Sequence, residues 1–514
     1  MKYIIILFCF YAAWFIFRTS FVYNGERYFA LFDDEMVSMR YADNFAHGHG
    51  LIWNHQRPDE RVEGYTNLLW TLCMAGFHLL PVAKSKMSLF VQILGAILLL
   101  VNLIFVKKIS ELIKKESVFP LVAVVFTAFY QPLNDWGLEG TEVSILTLLI
   151  SISVFLSLKS LDSRTVPWYL YIPLGISTLV RPDAAVPFLA LFIFWVIVDK
   201  DNRFKHVYTG LVTFIFFIGL QTIFRLVYYN DLFPNTYYLK MTGYPVLWRI
   251  GRGFLVLKDF LFAEGLLLFI LPFLFFKAAR NRSILLLIIL ILTQIAYSIY
   301  VGGDFLEADG GANRYIAIIM PLFFVLLAQT LVEIKLLWNH KPVFWIVVVI
   351  CFLSLNALKG PEGLTKLILP HPKFSYKIEH TIHRAKLLEK LTTKDATIAV
   401  LAAGTLPYFL NREAIDMLGK SDRYIARLPS HTAPATASLE ARIRNFVPGH
   451  TKYDYLYSIG QLKPDVVAQM WRVLPSDAQL LLFSDYIRRG GSFFRKDSPK
   501  IRWDEMQKCF ADEE

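Results

Sequence analysis

About eleven apolar runs, each close to the length of a membrane-crossing helix, fill most of residues 1–358. A helix needs about 20 mostly apolar residues to cross the hydrocarbon core of a bilayer. Composition agrees, because 55% of the 514 residues are hydrophobic and 18% are charged, whereas soluble domains carry about 25% charged residues. The sequence therefore predicts a mostly α-helical, polytopic membrane protein, and it excludes a disordered chain, a coiled coil and an ordinary cytosolic enzyme. The runs lie at 3–22, 87–106, 118–133, 142–158, 167–180, 183–198, 206–229, 259–276, 283–301, 315–337 and 342–358.

Lysine and arginine residues collect in alternate connections between these runs. Short basic loops stay in the cytoplasm, so the N-terminus is predicted to be cytoplasmic. The loop 23–86 and everything after about 359 then lie on the outer, periplasmic side of the inner (plasma) membrane. The basic connections are 107–115, 159–164, 200–205, 277–282 and 335–341.

Two segments leave the number of crossings open. The run 67–82 would move the basic loop 107–115 to the outer side if it crossed. We therefore expect it to lie on the outer surface or to re-enter the membrane. The segment 167–198 has two short halves, and the sequence does not decide whether both of them cross.

The last part of the chain, 359–514, has only short apolar runs. The stretches 397–402 and 464–469 have the composition of buried strands, and 387–391 is helix-like. The sequence therefore predicts two domains, a membrane domain over 1–358 and a small soluble α/β domain over 359–514 on the periplasmic side.

Three acids, Asp33, Asp34 and Glu35, stand together just beyond the first apolar run. Met36 and Met39 follow at helical spacing, which predicts an amphipathic helix that can lie on the membrane. Carboxylates at the start of a helix are favoured by its dipole, so capping alone accounts for them. A general base, or a ligand for a hard cation held at the membrane surface, accounts for them equally well.

Further charged, amide and aromatic residues gather in the other outer loops. The basic inner loops carry no such constellation, which favours a site at the outer membrane surface. Acids at membrane depth are costly and usually functional, although a surface loop or a self-satisfied Arg–Asp pair explains some of these residues. The sequence has no GxxxxGK[ST], HExxH or GxSxG motif, so an enzyme here needs an activated substrate already in the membrane. The candidates are Glu63, Tyr65, Asn67, Glu139, Glu142, Arg181, Asp183, Asn235, Tyr237, Tyr238, Lys240, Asp304 and Arg314.

Several of these segments together resemble the GT-C superfamily of integral membrane glycosyltransferases, in the branch that includes the mycobacterial terminal β-1,2-arabinofuranosyltransferase. The resemblance is ordered and covers nearly the whole chain. Its pieces are FDDEMVSMRYADNFAHGHGLIWN (32–54), RVEGYTNLLW (61–70), GLEGTE (137–142), RPDA (181–184), YYNDLFPNTYYLK (228–240), YVGGDF (300–305), IDMLGKSD (415–422), GHTKYDY (449–455) and KPDVV (463–467).

The resemblance implies a GT-C-type bundle that moves a sugar from a polyprenyl-phosphate donor to a cell-envelope glycan or lipid acceptor. It places the catalytic carboxylate at Asp33 or Asp34. We favour Asp33 as the base and Asp34 as its support or as the ligand of a divalent cation, Mg²⁺ or Mn²⁺. A single base with direct displacement would invert the anomeric carbon. Arg181, Lys240 and Arg314 are candidates for holding the donor phosphate.

A transporter or flippase of envelope precursors is the alternative reading. Transporters place charges at the bilayer midplane and often contain repeated halves, whereas this sequence shows no repeat. The net charge of +11 fits cytoplasmic loops and anionic membrane lipids better than nucleic acid, which is not expected as a partner. The domain 359–514 is expected to help select the acceptor, with the transfer site in the membrane domain.

Overall fold

Helices make up most of the described residues before 358. The computed structural model describes residues 1–116, 118–163, 165–275, 281–304, 312–338, 341–357, 375–431, 438–470 and 476–510. The helices of the first part are α1 Lys2–Arg18, α2 Asp33–Ala46, α3 Leu68–His78, α4 Lys84–Ile113, α5 Val118–Ala128, α6 Gln131–Leu138, α7 Val143–Ser163, α8 Ile172–Val180, α9 Ala185–Val198, α10 Arg203–Tyr229, α11 Asn235–Met241, α12 Val246–Glu264, α13 Leu266–Phe275, α14 Arg282–Val301, α15 Arg314–Ala317, α16 Met320–Trp338 and α17 Lys341–Ala357.

Four of the described helices, α4, α7, α10 and α14, are long and apolar enough to cross a membrane. Only 17% of the most apolar stretch of α10 is buried in the protein, which suits a helix that faces lipid. The 11 residues of α3 rise about 16 Å, well short of the roughly 30 Å hydrocarbon core. The nine residues of α8 are shorter still. The count of eleven crossing helices therefore stays a prediction.

A five-stranded sheet organises the C-terminal part of the chain. Its strands are β3 Thr397–Val400, β4 Glu413–Asp416, β5 Val466–Val467, β6 Tyr486–Arg489 and β7 Ser492–Arg495. Their order is β4-β3-β5-β7-β6, and β3 pairs in parallel with both β4 and β5. The strands predicted at 397–402 and 464–469 are confirmed as β3 and β5, which are shorter than predicted, and 387–391 lies in a helix.

The helices of the C-terminal part are α18 Ser375–Leu391, α19 Thr405–Leu410, α20 Arg423–Arg427, α21 Leu439–Arg444, α22 Ser476–Asp485 and α23 Trp503–Cys509. Near the start of the chain, a separate hairpin pairs β1 Phe21–Tyr23 with β2 Glu26–Tyr28.

The helix that carries the three acids, α2, is enclosed by protein. Ten consecutive residues, 35–44, are buried. The helix packs on α3 and on α19 of the C-terminal part. The expectation that α2 lies on the membrane is therefore wrong. The reason is that α19, which covers it, lies more than 350 residues away in sequence, so the spacing of Met36 and Met39 reveals only one of its buried faces.

One continuous apolar core joins residues 23–86 to the C-terminal part. Met36 and Trp53 belong to the same cluster as Ile398 and Leu406. The buried Arg40 strengthens the junction, because its guanidinium donates to the Trp53 carbonyl at 2.5 Å and to the Arg412 carbonyl at 2.8 Å. The predicted domain boundary at 358/359 lies outside the described residues, and the division into two domains stays a prediction.

Gly404 sets how closely α2 approaches the C-terminal sheet. A Cβ atom at this position would overlap the backbone carbonyl oxygen of Asp33, and neither backbone can move independently. We expect Gly404→Ala to cost about 1–3 kcal/mol, as overpacking does in cores. It should lower the thermal unfolding midpoint in detergent and speed proteolysis between the two parts.

Gly76→Ala is the matched control for this variant. Gly76 lies in α3, and a Cβ there meets no atom within 4 Å, so alanine should leave stability unchanged or raise it through its helix propensity. Equal unfolding midpoints for the two variants would contradict the close approach at Gly404.

Candidate active site

A cavity of about 350 Å³ lies between α2, α11, the end of α14 and the C-terminal part. Its walls also include Glu35, Ser38 and Lys420. Because α14 is one of the candidate spanning helices, the cavity lies beside one end of the helical bundle. Ten of the residues predicted from the sequence line it: Asp34, Tyr65, Asn67, Glu142, Arg181, Asp183, Tyr237, Lys240, Asp304 and Arg314.

Asp34 is the acid of the first pair that faces the cavity. Its Oδ1 lies 2.9 Å from Lys420 Nζ, and its Oδ2 lies 3.3 Å from Arg314 Nη2. Burial alone would raise the pKa of Asp34, but the charges of Lys420, Lys240 and Arg314 together hold that pKa well below its usual range. Asp34 is therefore ionised at neutral pH.

Asp33 points the other way, toward the C-terminal part. Its Oδ1 accepts a hydrogen bond from the Thr405 N–H at 2.8 Å, and its Oδ2 accepts one from the Gly404 N–H at 3.3 Å. Burial raises the pKa of Asp33, and the bond from Thr405 opposes that rise. Since Asp33 does not line the cavity, the geometry favours Asp34 over Asp33 for chemistry there, which reverses the preference drawn from the sequence.

Three cations surround Asp34. Arg314 also binds Asp304, with 2.6 Å between Arg314 Nε and Asp304 Oδ2. Lys240 differs from its neighbours, because it forms no ion pair with any described residue. Burial lowers the pKa of Lys240 to about 8, with Asp34 acting in the opposite sense. The cluster thus contains one ammonium group whose charge is not matched by an ion pair within the described chain.

Lys420 reaches the cavity from a tight turn after β4. Asp416 shapes this turn by accepting hydrogen bonds from three of its backbone N–H groups. The Nδ2 of Asn235 donates to carbonyl oxygens of the same turn, including that of Lys420 at 3.1 Å. Asn235 was predicted to bind substrate; it holds the Lys420 turn and does not line the cavity.

A second network of acids also lines the cavity. Arg181 pairs with Glu142 at 2.6 Å and with Asp183 at 2.8 Å. The Nδ2 of Asn67 donates to Glu35 Oε2 at 2.9 Å and to Glu142 Oε2 at 3.3 Å. Burial, followed by the charge of Glu142, holds the pKa of Glu35 well above its usual range. Glu35 thus presents a neutral carboxyl group to the cavity.

The remaining predicted residues surround the cavity without lining it. Glu63 forms a buried ion pair with Arg225 of α10. Glu139 is buried, and its backbone carbonyl accepts from the Phe32 N–H at 3.1 Å. The ring of Tyr238 lies beneath the Arg427 guanidinium at 4.0 Å. These residues hold the loops that form the walls.

Two segments of the C-terminal part contribute cavity residues that were not among the candidates predicted from the sequence. Lys420 and Pro448 line the cavity, and Gly449 allows the Lys240 stem to pass, since a Cβ there would lie 3.0 Å from Lys240 Cε. Lys420 lies in the family-like segment 415–422, and Pro448 directly precedes the family-like segment 449–455. These segments were the signal in the sequence from which the two cavity residues could have been found. We expected a transfer site formed by 1–358 alone, whereas this cavity is also lined by residues of the C-terminal part.

Aromatic side chains form the mouth of the cavity. Phe233 stacks on Tyr237 with 4.4 Å between the ring centroids. Both rings are exposed, as is Tyr300 at the end of α14. Aromatic rings at this level are typical of the membrane–water interface. The mouth can therefore accept an apolar chain while the charged residues lie deeper.

A divalent cation at Asp34 stays a prediction. Both oxygens of this carboxylate already contact cations, Lys420 and Arg314. Within the described ranges no group of three or more His, Cys, Asp and Glu side chains is arranged to hold a metal ion. The described residues thus do not form a metal site of their own.

Comparison with known sequences gives a family model and a curated relative. A family model described as a domain of unknown function, DUF8728, matches residues 374–502. The terminal β-(1→2)-arabinofuranosyltransferase of Corynebacterium glutamicum is 24% identical over 345 residues, which cover 59% of this chain and 48% of that protein. The chain thus spans about half the length of this curated relative.

Comparison with solved structures identifies the fold. The crystal structure of ArnT from Cupriavidus metallidurans in the apo state aligns with a TM-score of 0.55 and 12% identity, over 81% of this chain and 86% of ArnT. The structure of the same protein bound to undecaprenyl phosphate aligns with a TM-score of 0.52, over 80% and 85%. The resemblance to the GT-C membrane glycosyltransferases is therefore confirmed, and the chain has an ArnT-like fold.

The different charge states of Glu35 and Glu142 can be tested through stability. Because Glu35 is neutral, Glu35→Gln should change the free energy of unfolding by less than about 0.5 kcal/mol. Glu142→Gln removes one of the two carboxylates that pair with Arg181 and leaves only Asp183. It should lower the free energy of unfolding by about 1–3 kcal/mol. Thermal unfolding in detergent at pH 7 compares the two isosteric variants; a larger loss for Glu35→Gln would contradict this assignment.

Proposed function

We propose that this protein is a glycosyltransferase of the inner membrane that moves a sugar from a polyprenyl-phosphate donor to a glycan or lipid of the cell envelope on the periplasmic side. The cluster of Lys240, Lys420 and Arg314 around the ionised Asp34 carries the proposal. It combines a phosphate-binding group of cations with a base, in a cavity whose mouth is aromatic. The similarity to an arabinofuranosyltransferase and the ArnT-like fold support transfer over transport.

The donor phosphate binds against Lys240 in this proposal. An anionic phosphate would balance the charge of the Lys240 ammonium, which no ion pair within the described chain offsets. Lys420 and Arg314 would bind the same phosphate. The prenyl chain leaves past Phe233 and Tyr237 toward the lipid. The crystal structure of ArnT with undecaprenyl phosphate supports this class of donor for the shared fold.

Transfer proceeds by one displacement. The acceptor hydroxyl oxygen attacks the anomeric carbon while Asp34 takes its proton. The bond from that carbon to the phosphate oxygen breaks, and its electron pair stays on the departing polyprenyl phosphate. The leaving phosphate gains one negative charge, which Lys240, Lys420 and Arg314 stabilise. Configuration at the anomeric carbon is inverted.

The same cations link donor binding to the strength of the base. Without donor, Lys420 and Arg314 depress the pKa of Asp34 and make it a weak base. A bound phosphate draws these cations toward its own oxygens and raises the basicity of Asp34. Asp34 therefore becomes an effective base only when the donor is in place.

Polar groups of the second network of acids bind the transferred sugar. The neutral Glu35 can donate as well as accept a hydrogen bond, and Asn67 fixes its orientation at 2.9 Å. Arg181 is held by two acids, so its charge is matched before the donor arrives. These groups suit sugar hydroxyls, whereas the cations around Asp34 suit phosphate.

The two neighbouring aspartates give a matched pair of variants. Asp34→Asn removes the proposed base and should lower the transfer rate by about 10²–10⁴-fold. Asp33→Asn keeps an oxygen that can accept from the Thr405 N–H and should cost less than about tenfold. The assay uses purified protein with a polyprenyl-phosphate sugar, and donor binding measured on the same samples controls for folding. A greater loss of rate in Asp33→Asn would overturn the assignment of Asp34.

Binding of undecaprenyl phosphate should weaken as pH rises through about 8. Lys240, with a pKa of about 8, is charged below that pH, and about one tenth of the molecules keep this charge one unit above it. Asp34 stays ionised throughout, and burial lowers the pKa of the nearby His450 to about 4, so neither titrates in this window. The dissociation constant should increase several-fold between pH 7.5 and 9.5.

Lys240→Arg provides the control for this titration. Arginine keeps its charge beyond pH 12, so the affinity of the variant should stay flat over the same range. The monoester phosphate is already doubly charged above pH 7.5. An identical slope in both proteins would show that Lys240 does not bind the phosphate.

A further inference from the structure

Two tyrosines present their rings to solvent on the C-terminal part of the chain. Tyr424 is 47% exposed, and its ring centroid lies 4.4 Å from that of the half-buried Tyr457, with the planes at 46°. Neither ring belongs to the apolar core clusters. Exposed aromatic rings that the core does not use favour a binding surface.

Asp454 binds both tyrosines, one through its phenol group and the other through its backbone. Its Oδ2 accepts from the Tyr424 hydroxyl at 3.1 Å, and its Oδ1 accepts from the Tyr457 backbone N–H at 2.9 Å. A carboxylate has about four acceptor positions, so Asp454 can accept further hydrogen bonds. The ring of Tyr424 and the backbone of Tyr457 are held before any ligand arrives, which reduces the entropy lost on binding.

A single short helix links this surface to the cavity. Tyr424 lies in α20, and Arg427 at the end of the same helix covers the ring of Tyr238 at 4.0 Å. Arg427 also donates to Asn235 Oδ1 at 3.1 Å. Tyr238 directly follows Tyr237 of the cavity wall. The tyrosine surface is therefore linked through α20 to α11, the helix that carries Tyr237 of the cavity wall.

We propose that Tyr424, Tyr457 and Asp454 form an acceptor platform that binds sugar residues of an oligosaccharide acceptor away from the hydroxyl that reacts. A sugar ring has faces of C–H groups and edges of hydroxyls. The tyrosine rings cover the faces, and Asp454 and the phenol groups bind the edges. The glycan nature of the acceptor rests on the proposed function.

Other occupants fit this surface less well. Two rings are far smaller than the 1,200–2,000 Å² that stable protein interfaces bury in total. Charged side chains adjoin them, with Tyr457 Oη 3.5 Å from Asp422 Oδ2, which disfavours an acyl chain. A small amphipathic ring is the ligand that matches both the size and the polarity.

Direct binding of oligosaccharides tests the platform. The full-length protein in lipid nanodiscs is titrated with tetrasaccharides of arabinose, mannose, galactose and glucose, with the matching monosaccharides alongside. At least one tetrasaccharide should bind, and Tyr424→Ala should weaken that binding about three- to tenfold. Phe483→Ala is the control, since Phe483 is 73% exposed on α22 of the same region.

The same preparations separate this inference from the proposed function. Binding of undecaprenyl phosphate should be equal in wild type and Tyr424→Ala. Tetrasaccharide binding that Tyr424→Ala leaves unchanged, or no binding of any of the four tetrasaccharides by the wild type, overturns the platform. Loss of a rate advantage of tetrasaccharide over monosaccharide acceptors in Tyr424→Ala supports it. Absence of undecaprenyl-phosphate binding in every protein would count against the proposed function and leave the platform standing.

Discussion

The ion pairs of Asp34 bring together three distant segments of the chain. The carboxylate stands on α2, Arg314 begins α15, and Lys420 comes from the C-terminal part. Opposite charges at this range are strongly coupled when partly shielded from water. Each partner is useful only if the others are in place, so the cavity requires the membrane helices and the C-terminal sheet to dock in one arrangement.

The burial of α2 provides that arrangement. Its apolar residues contact α3 on one side and the C-terminal part on the other, while its first turn supplies both aspartates. Asp33 and Asp34 are adjacent in sequence but face different partners: Asp33 receives backbone N–H groups at the start of α19, and Asp34 receives cationic side chains. The pair thus combines a structural contact with a chemical group in two consecutive residues.

Much of the fold follows from the local sequence pattern. Most of each apolar run is helical, although α1 ends at Arg18 and α8 begins at Ile172, inside their runs. Three runs are divided between two helices. Gly265, with a φ of +89°, separates α12 from α13 in 259–276. The run 118–133 holds the end of α5 and the start of α6, and 315–337 holds α15 and α16. Strands β3 and β5 follow from short apolar runs between polar residues. Periodicity could not reveal the second buried face of α2, because its partners lie hundreds of residues away.

The sequence predicted many of the residues that form the candidate site, but not the contacts between them. Asp34 was identified from the three acids after the first apolar run, Lys240 from its family-like segment 228–240, and Arg314 from its position shortly after 300–305. Lys420 was missed because a lysine in a turn of a soluble region is ordinary by composition, and only its contact with Asp34 distinguishes it. The choice between Asp33 and Asp34 likewise depends on side-chain direction, which spacing does not contain.

A structure of the full-length protein in nanodiscs with undecaprenyl phosphate tests the central claim most directly. The account predicts phosphate oxygens within about 3.2 Å of both Lys240 Nζ and Lys420 Nζ, with the prenyl chain leaving past Phe233 and Tyr237. A phosphate bound at the basic connections between the apolar runs, with Lys240 and Lys420 contacting no ligand atom, would contradict it.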